Sequence, residues 1–426
     1  MTIAIFLGAL IAAMAIGIPI SFSLLISGTA LMWHLDMFDS QILAQNLIEG
    51  SNSFPLLAVP FFMLAGEIMN AGGLSKRIVL FAMSLVGHVR GGLGYVAIMA
   101  AVIMAALSGS AVADAAALSA LLLPMMVHAG HNKARSAGLL ASASIIAPII
   151  PPSIGFVIFG VAANVSISKL FLAGIAPGVM LAAALCFTWW WVARKEMVTP
   201  PARKNSGEVI HALKEAAYAM GLPVIVIVGL KFGVFTPTEA AVVAAVYALV
   251  ISMFVYRELK WSQLFGLFLA AAKTTSVIMF LVAAAMVSAW LITVAQLPAQ
   301  LVELLAPLMD NPKVLMAAIM LLVIIVGTAM DMTPTILILT PVLMPIVKAA
   351  GIDPVYFGVL FIMNNAIGLI TPPVGTVLNT VAGVGKISMD DVTKGVWPFM
   401  IAQFLLMFLM VLFPEIVTVP ARWLAG

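Results

Sequence analysis

Positions 170–193 read LFLAGIAPGVMLAAALCFTWWWVA, without one charged residue. As a helix this run would reach roughly 36 Å, enough to cross the hydrocarbon core of a bilayer, about 30 Å thick. Lipid offers the backbone no hydrogen-bond partners, so a segment apolar on every face must satisfy its own N–H and C=O groups as an α-helix. Comparable runs fill nearly the whole chain. Only 9% of its 426 residues are charged and 64% are hydrophobic, against about 25% charged in a soluble domain. The expected class is therefore an all-α polytopic membrane protein with no room for a sizeable soluble domain. The net charge of +3 reflects loop Lys and Arg and excludes a nucleic-acid surface. Cys186 is the only cysteine and lies in an apolar run, which excludes a disulfide framework or a cysteine metal site. The first twenty residues lack the basic start of a signal peptide and read as a retained first span.

The chain repeats itself at an offset of 221 positions, which places Pro124 on Pro345, Gly130 on Gly351, Gly174 on Gly395 and Pro177 on Pro398. The same offset lays "IIPPS" (149–153) on "ITPPV" (370–374). Several landmarks in order at one offset mark two structural repeats. The first covers 1–194, with a polar-tipped apolar pair at 93–127 and a span broken by Pro151–Pro152 at 136–163. A basic linker, 195–221, leads to the second repeat, 222–426, with the pair at 314–347 and the broken span at 355–384. "DMFDSQILAQNLIEGSNS" and "ELKWSQLFGLFLAAAK" read as interfacial arm helices.

The paired segments are short for a bilayer and fit a re-entrant hairpin that adds no net crossing. About five crossings then remain per repeat, and an odd number turns the second repeat upside down relative to the first. With the N-terminus outside, the inner loops hold Lys76, Arg77, Arg90, Lys133, Arg135, Arg194, Lys195, Arg203, Lys204, Lys214, Arg257, Lys260, Lys273, Lys386 and Lys394. Outside fall Lys169, Lys231, Lys313, Lys348 and Arg422. This bias satisfies the positive-inside rule.

Each repeat pairs a hairpin tip with a helix break. The tips are Ser108–Asp114 and Gly327–Thr335; the breaks are Pro151–Pro152–Ser153 and Thr371–Pro372–Pro373. Proline cannot donate to the helix ladder and its ring displaces the carbonyl four residues back, so breaks expose carbonyls. Carbonyls and small hydroxyls suit a hard cation such as Na⁺. The expected ligand sets are Ser108, Gly109, Ser110 and Ala111 with Pro151, Pro152 and Ser153, and Gly327, Thr328 and Asp331 with Thr371, Pro372 and Pro373. Two such sets predict at least two Na⁺ sites. The facing half-helix N-termini suit an anion, with Ser110, Ser153, Thr335, Thr376 and Asn379 expected at the substrate. Asp114 is expected either to brace the first hairpin or to act in the site. Glu239, after "FTPT", is expected to cap a helix.

No GxSxG, HExxH or nucleotide-binding segment is present, and no His lies inside a span. The chain does not read as an enzyme. An ion or solute channel is the alternative to a transporter. It is disfavoured because channels repeat one pore element around an axis.

"LSGSAVADAAAL", "IIAPIIPPSI", "GVFTPTEAAVVAAVYAL", "MDMTPTILILTPVLMPI" and "GLITPPVG" resemble the large, DctM-like membrane subunit of tripartite ATP-independent periplasmic (TRAP) transporters. "PFFMLAGEIMNAGGLSKRIV" is similar to the 2,3-diketo-L-gulonate type, with sialic-acid systems as near relatives. The resemblance implies Na⁺-coupled import of a carboxylate across the bacterial inner membrane, with the N-terminus in the periplasm. It implies a periplasmic substrate-binding protein and a separate small four-helix membrane subunit as partners. It also implies an elevator fold like that of the ion-transporter superfamily. In that reading 93–163 and 314–384 slide past a scaffold of the first spans, the arms and the last spans.

Overall fold

The computed structural model describes residues 2–194, 196, 198 and 202–425; Lys195, assigned above to an inner loop, lies outside them. The described residues form helices and no strand. The first half runs α1 (Thr2–Ala15), α2 (Ile20–His34), α3 (Ser40–Ser51), a 3₁₀ turn (Phe54–Leu57), α4 (Ala58–Ala71), α5 (Leu74–Val86), α6 (Gly92–Ser108), α7 (Ala111–His128), α8 (Lys133–Ser144), α9 (Ile154–Ala163) and α10 (Ile167–Ala193). The second runs α11 (Ser206–Lys231), α12 (Pro237–Val250), α13 (Trp261–Val294), α14 (Leu297–Met309), α15 (Pro312–Ala329), α16 (Met332–Ala349), α17 (Pro354–Gly368), α18 (Thr376–Gly385) and α19 (Met389–Leu412), and ends with α20 (Glu415–Ala425). Among the described residues, nine helical segments are long and apolar enough to cross a membrane.

The two halves follow the same order, with α3 and α4 answered by the single helix α13 and α20 without a counterpart, and their packing partners are exchanged between them. Helix α4 lies on α12 where α13 lies on α2; α8 lies on α19 where α17 lies on α10; α9 lies beside α16 where α18 lies beside α7. Such reciprocity is what a pseudo-two-fold axis between inverted repeats produces. Side chains reinforce it. Thr238 of α12 donates to the Phe54 carbonyl (3.2 Å), and Ser288 of α13 donates to the Leu24 carbonyl (3.2 Å).

The structure departs from the sequence reading in four places. Residues 206–221, read as linker, are the first part of α11, started by a capping box in which Asn205 and Glu208 satisfy each other's N–H groups. The second arm is not a separate helix but the start of the 34-residue α13. Helices α5, α14 and α20 fill stretches assigned to no element. The last spans α10 and α19, expected in the scaffold, pack on α6, α8, α9 and α17. Two glycines explain the tightness of that packing. A Cβ on Gly395 of α19 would lie 1.8 Å from the Ala134 carbonyl oxygen, and one on Gly174 of α10 would lie 2.3 Å from the Ile149 carbonyl oxygen. Backbones this close exclude any side chain.

Two bundles result. One holds α1–α4 and α11–α13, with Thr236 and Glu239 forming the expected capping box of α12. The other holds α6–α10 and α15–α20, with α5 and α14 lying between the bundles. At the basic end of the second bundle, the largely covered side chain of Glu196 accepts hydrogen bonds from His131 Nδ1 (2.7 Å) and Arg135 (3.3 Å). His131 lies tilted against the ring of Trp189, whose ring N–H donates to the Gly91 carbonyl (2.8 Å).

Candidate functional site

Both hairpin tips sit directly on helix breaks. Helix α6 ends at Ser108, Gly109 takes a left-handed conformation (φ +60°), and Ser110 caps α7 by accepting the Ala113 N–H. Gly109 lies flat on the first break: a Cβ there would be 2.6 Å from the Pro152 carbonyl oxygen. Ser153 caps α9, accepting from the Phe156 N–H (3.1 Å) while donating to the Pro148 carbonyl (2.5 Å). In the second half Gly327 of the tip packs on Gly368, one turn before Thr371. Thr371 donates to the Ile367 carbonyl (2.8 Å), and the Val377 N–H closes the broken segment onto the Leu369 carbonyl (3.1 Å). Both Pro–Pro bonds, 151–152 and 372–373, are cis.

The tips and breaks leave oxygens without partners. Among the described residues, the carbonyls of Gly109, Ile150, Pro151 and Pro152 accept no hydrogen bond, and neither do those of Thr371, Pro372 and Pro373. Unpaired carbonyl oxygen beside small hydroxyls is the donor set a hard cation takes, and the free carbonyls of Gly109, Pro151 and Pro152 and of Thr371, Pro372 and Pro373 would suit Na⁺.

Four helix N-termini meet at the same place. The start of α9 touches the α6–α7 tip through Gly109 and touches the start of α16 through Gly155, whose Cβ position is 3.2 Å from the Met332 methyl. Thr376, at the start of α18, lies 3.5 Å from Asp331 Oδ1, at the start of α16. Helix α18 runs beside α7 and closes the ring. Neither Asp331 nor Gly375 makes a side-chain cap, so the first turns of α16 and α18 keep N–H groups for solvent or a ligand. Each terminus carries about half a positive charge.

The expected site residues thus gather around one centre, at unequal depth. Ser108, Gly109, Ala111, Pro151, Pro152 and Ser153 are buried; Asp331, Pro373 and Asn379 are exposed, and Ser110, Thr328, Pro372 and Thr376 are half-buried. Ser153 and Thr335, expected at the substrate, are fully buried with engaged hydroxyls; Thr335 donates to the Asp331 carbonyl (2.8 Å). The Asn379 amide donates to the Val374 carbonyl (2.9 Å), and the residue is exposed. Sequence reasoning did not find Gly368, Gly155 or Gly375, which bring the elements into contact. The repeat offset held a signal for one of them, since Gly375 follows the second Pro pair where Ile154 follows the first.

Two clefts flank the centre in related positions. One, of about 640 Å³, lies between the bundles and is lined by Glu49, Met286, Trp290, Met344, Pro345 and Lys348. The other, of about 620 Å³, lies along α7 and α18 and is lined by Ser119, Leu123, Pro124, His128, Lys133 and Lys386.

The family model of the DctM component of tripartite ATP-independent periplasmic transporters matches residues 7–416. The chain belongs to this family. It is 56% identical over 424 residues to the 2,3-diketo-L-gulonate TRAP transporter large permease protein YiaN of Escherichia coli strain K12, covering 100% of both chains. It is 39% identical to the sialic acid TRAP transporter large permease protein SiaM of Vibrio cholerae, covering 94% of this chain and 93% of that one. The Alcanivorax borkumensis YdaH transporter shares its fold, with a TM-score of 0.63 at 15% identity over 90% of this chain and 88% of the other. The DctM-family chain is thus a multi-pass transporter permease and not an enzyme.

Proposed function

We propose that this TRAP large permease imports a small carboxylate, a sugar acid such as diketogulonate or else sialic acid, by Na⁺ symport across the bacterial inner membrane. A periplasmic binding protein delivers the substrate, and a separate small four-helix membrane subunit packs against the large one. The observation that carries this reading is the ring of four half-helix N-termini with unpaired carbonyls behind it. The ring offers positive potential to an anion, and the carbonyls offer oxygen to Na⁺. Sodium at Ser108–Ala111 with Pro151–Ser153, and at Gly327, Thr328 and Asp331 with Thr371–Pro373, would neutralise the oxygens and leave the ring favourable for a carboxylate. Ser110, Thr376 and Asn379 then face the substrate, while Ser153 and Thr335 hold the helix starts from behind. The assignment of a carboxylate substrate rests on the names of the relatives and on this potential.

An asymmetry between the repeats supports an elevator movement. Helix α16 packs against α13 and α14, whereas its counterpart α7 has no comparable packing on α3, α4 or α5 among the described residues. Exchanging those contacts between repeats generates the second state. We assign α6–α10 and α15–α19 to the moving body and α1–α4 with α11–α13 to the scaffold, the N-terminus being periplasmic. The free flanks of α7 and α18 then face the cytoplasm, an inward-facing arrangement.

Uptake of labelled diketogulonate or sialic acid into proteoliposomes, with the small subunit and its binding protein, tests the proposal. Uptake that requires both an inward Na⁺ gradient and the binding protein is expected. Rapid gradient-insensitive flux without the binding protein would replace the symporter by a channel.

A further inference from the structure

The two hairpin tips carry their single carboxylates at exchanged positions. At the offset of 221, Ser110 corresponds to Asp331 and Asp114 to Thr335. The second acid is exposed at the cap of α16, whereas the first lies one turn inside α7 and has no exposed surface. Asp114 Oδ1 accepts the Ser108 hydroxyl at 2.6 Å, a bond across the hairpin from the end of α6 to the start of α7. Asp114 Oδ2 is buried without a partner, and no Lys, Arg or His forms an ion pair with Asp114 among the described residues. A carboxylate excluded from water and lacking a counter-cation is strongly disfavoured unless a cation lies close by. Unpaired carbonyl oxygens lie on Gly109, one residue from Ser108, and on Pro152, against which Gly109 is pressed.

We propose that Asp114 is the positioning residue of the first cation site and supplies its negative charge from behind the tip. This deepens the Na⁺ reading above and rests on it. By taking the Ser108 hydroxyl proton into a hydrogen bond, Asp114 fixes the Ser108 oxygen, which accepts the Ser110 N–H at 3.3 Å and keeps one lone pair for a cation at the tip. A hydroxyl oxygen polarised by a carboxylate is a stronger cation ligand than a free hydroxyl. The second tip works differently, because Asp331 reaches a cation directly and Thr335 only braces the backbone. The two cation sites are therefore unequal. The first depends on a buried relay of two side chains, and the second on an open carboxylate.

The test is the Na⁺ dependence of thermal unfolding of the purified full chain with its small subunit, titrated with NaCl against choline chloride at constant ionic strength. Wild type, Asp114→Asn, Ser108→Ala, the double variant and, as a control, Ser84→Ala are compared. Asp114→Asn is expected to raise the half-saturating Na⁺ concentration at least tenfold while its melting temperature in choline stays level or rises, because a buried charge has gone. Ser108→Ala should give a smaller rise in the same direction. The double variant should add little to Asp114→Asn alone, as two members of one relay require, and Ser84→Ala, on α5 outside both bundles, should leave the Na⁺ midpoint near that of wild type. An unchanged midpoint in Asp114→Asn would overturn the proposal, as would a lower melting temperature in choline with the Na⁺ response intact, the mark of a purely structural brace. If the wild type itself shows no response to Na⁺, the Na⁺ reading falls first and this inference falls with it.

Discussion

Gly327 and Gly368 meet backbone to backbone, with a Cβ on Gly368 lying 3.0 Å from the Gly327 Cα, carbonyl carbon and oxygen. The second hairpin tip is therefore seated on α17 by the absence of a side chain. Gly368→Ala is expected to push the tip off its seat by a few tenths of an ångström and to lower transport without unfolding the chain. Gly109→Ala should be more severe, since its Cβ would lie 2.6 Å from the Pro152 carbonyl oxygen at a φ of +60°, which only glycine adopts at low cost. Gly327→Ala, with 3.5 Å of clearance, should be tolerated. Uptake per folded protein ranks the three, and equal activity in all of them would remove the tip-on-break contact from the mechanism.

The union of α19 with α8 predicts a stability effect rather than a transport effect. Gly395→Ala places a methyl 1.8 Å from the Ala134 carbonyl oxygen, and that atom belongs to backbone. Overpacking of this kind costs about 1–3 kcal/mol or more. The expected outcome is a marked fall in melting temperature together with poor yield. A variant as stable as wild type would show that the helices separate freely.

The cleft between the bundles gives a direct check on sliding. Met286 of α13 and Met344 of α16 line it together. Cysteines at these positions on a Cys186→Ala background, bridged by a short thiol cross-linker, should stop uptake, and a cleavable linker should restore it when cut. Full activity with the bridge in place would mean that α16 does not move relative to α13.

Glu196 predicts the acid limb of stability. Burial pushes its carboxyl up, but hydrogen bonds from His131 and Arg135 and the nearby imidazole charge outweigh burial and hold it below the ordinary 4.5. A carboxyl that ionises more readily when folded stabilises the fold fully above that ordinary value and loses the contribution as pH falls through the lowered one. Glu196→Gln should therefore be less stable than wild type near neutrality, with the gap closing below pH 4.5. Parallel melting curves across that range would contradict the assignment.

The sequence disclosed whatever depended on long apolar runs and on proline. The hairpins, the breaks and the repeat offset stand out because lipid forbids other backbone solutions and proline marks the interruptions. Helices α5, α14 and α20 were hidden for the opposite reason. They are amphipathic and too short to span, and Lys76 and Arg77 made α5 read as a loop, although Arg77 pairs with Glu258 at 2.7 Å and lies over the Tyr256 ring. The start of α11 carried a legible signal in Asn205 and Glu208, overlooked because the surrounding charge suggested a linker. Sequence could not reveal that Gly155 meets Met332, or that the last spans belong with the broken helices. Those facts arise from close approach between backbones far apart in the chain.

If the helix starts hold the substrate as proposed, they separate two tasks that one arginine can combine, attraction and recognition. In the site proposed above, attraction would come from peptide dipoles, which no point substitution removes, while Ser110, Thr376 and Asn379, half-buried or exposed, are the side chains proposed to meet the substrate. Changing those side chains alters which anion fits without abolishing the pull on anions as a class. A site so built can drift among substrates through a series of working intermediates.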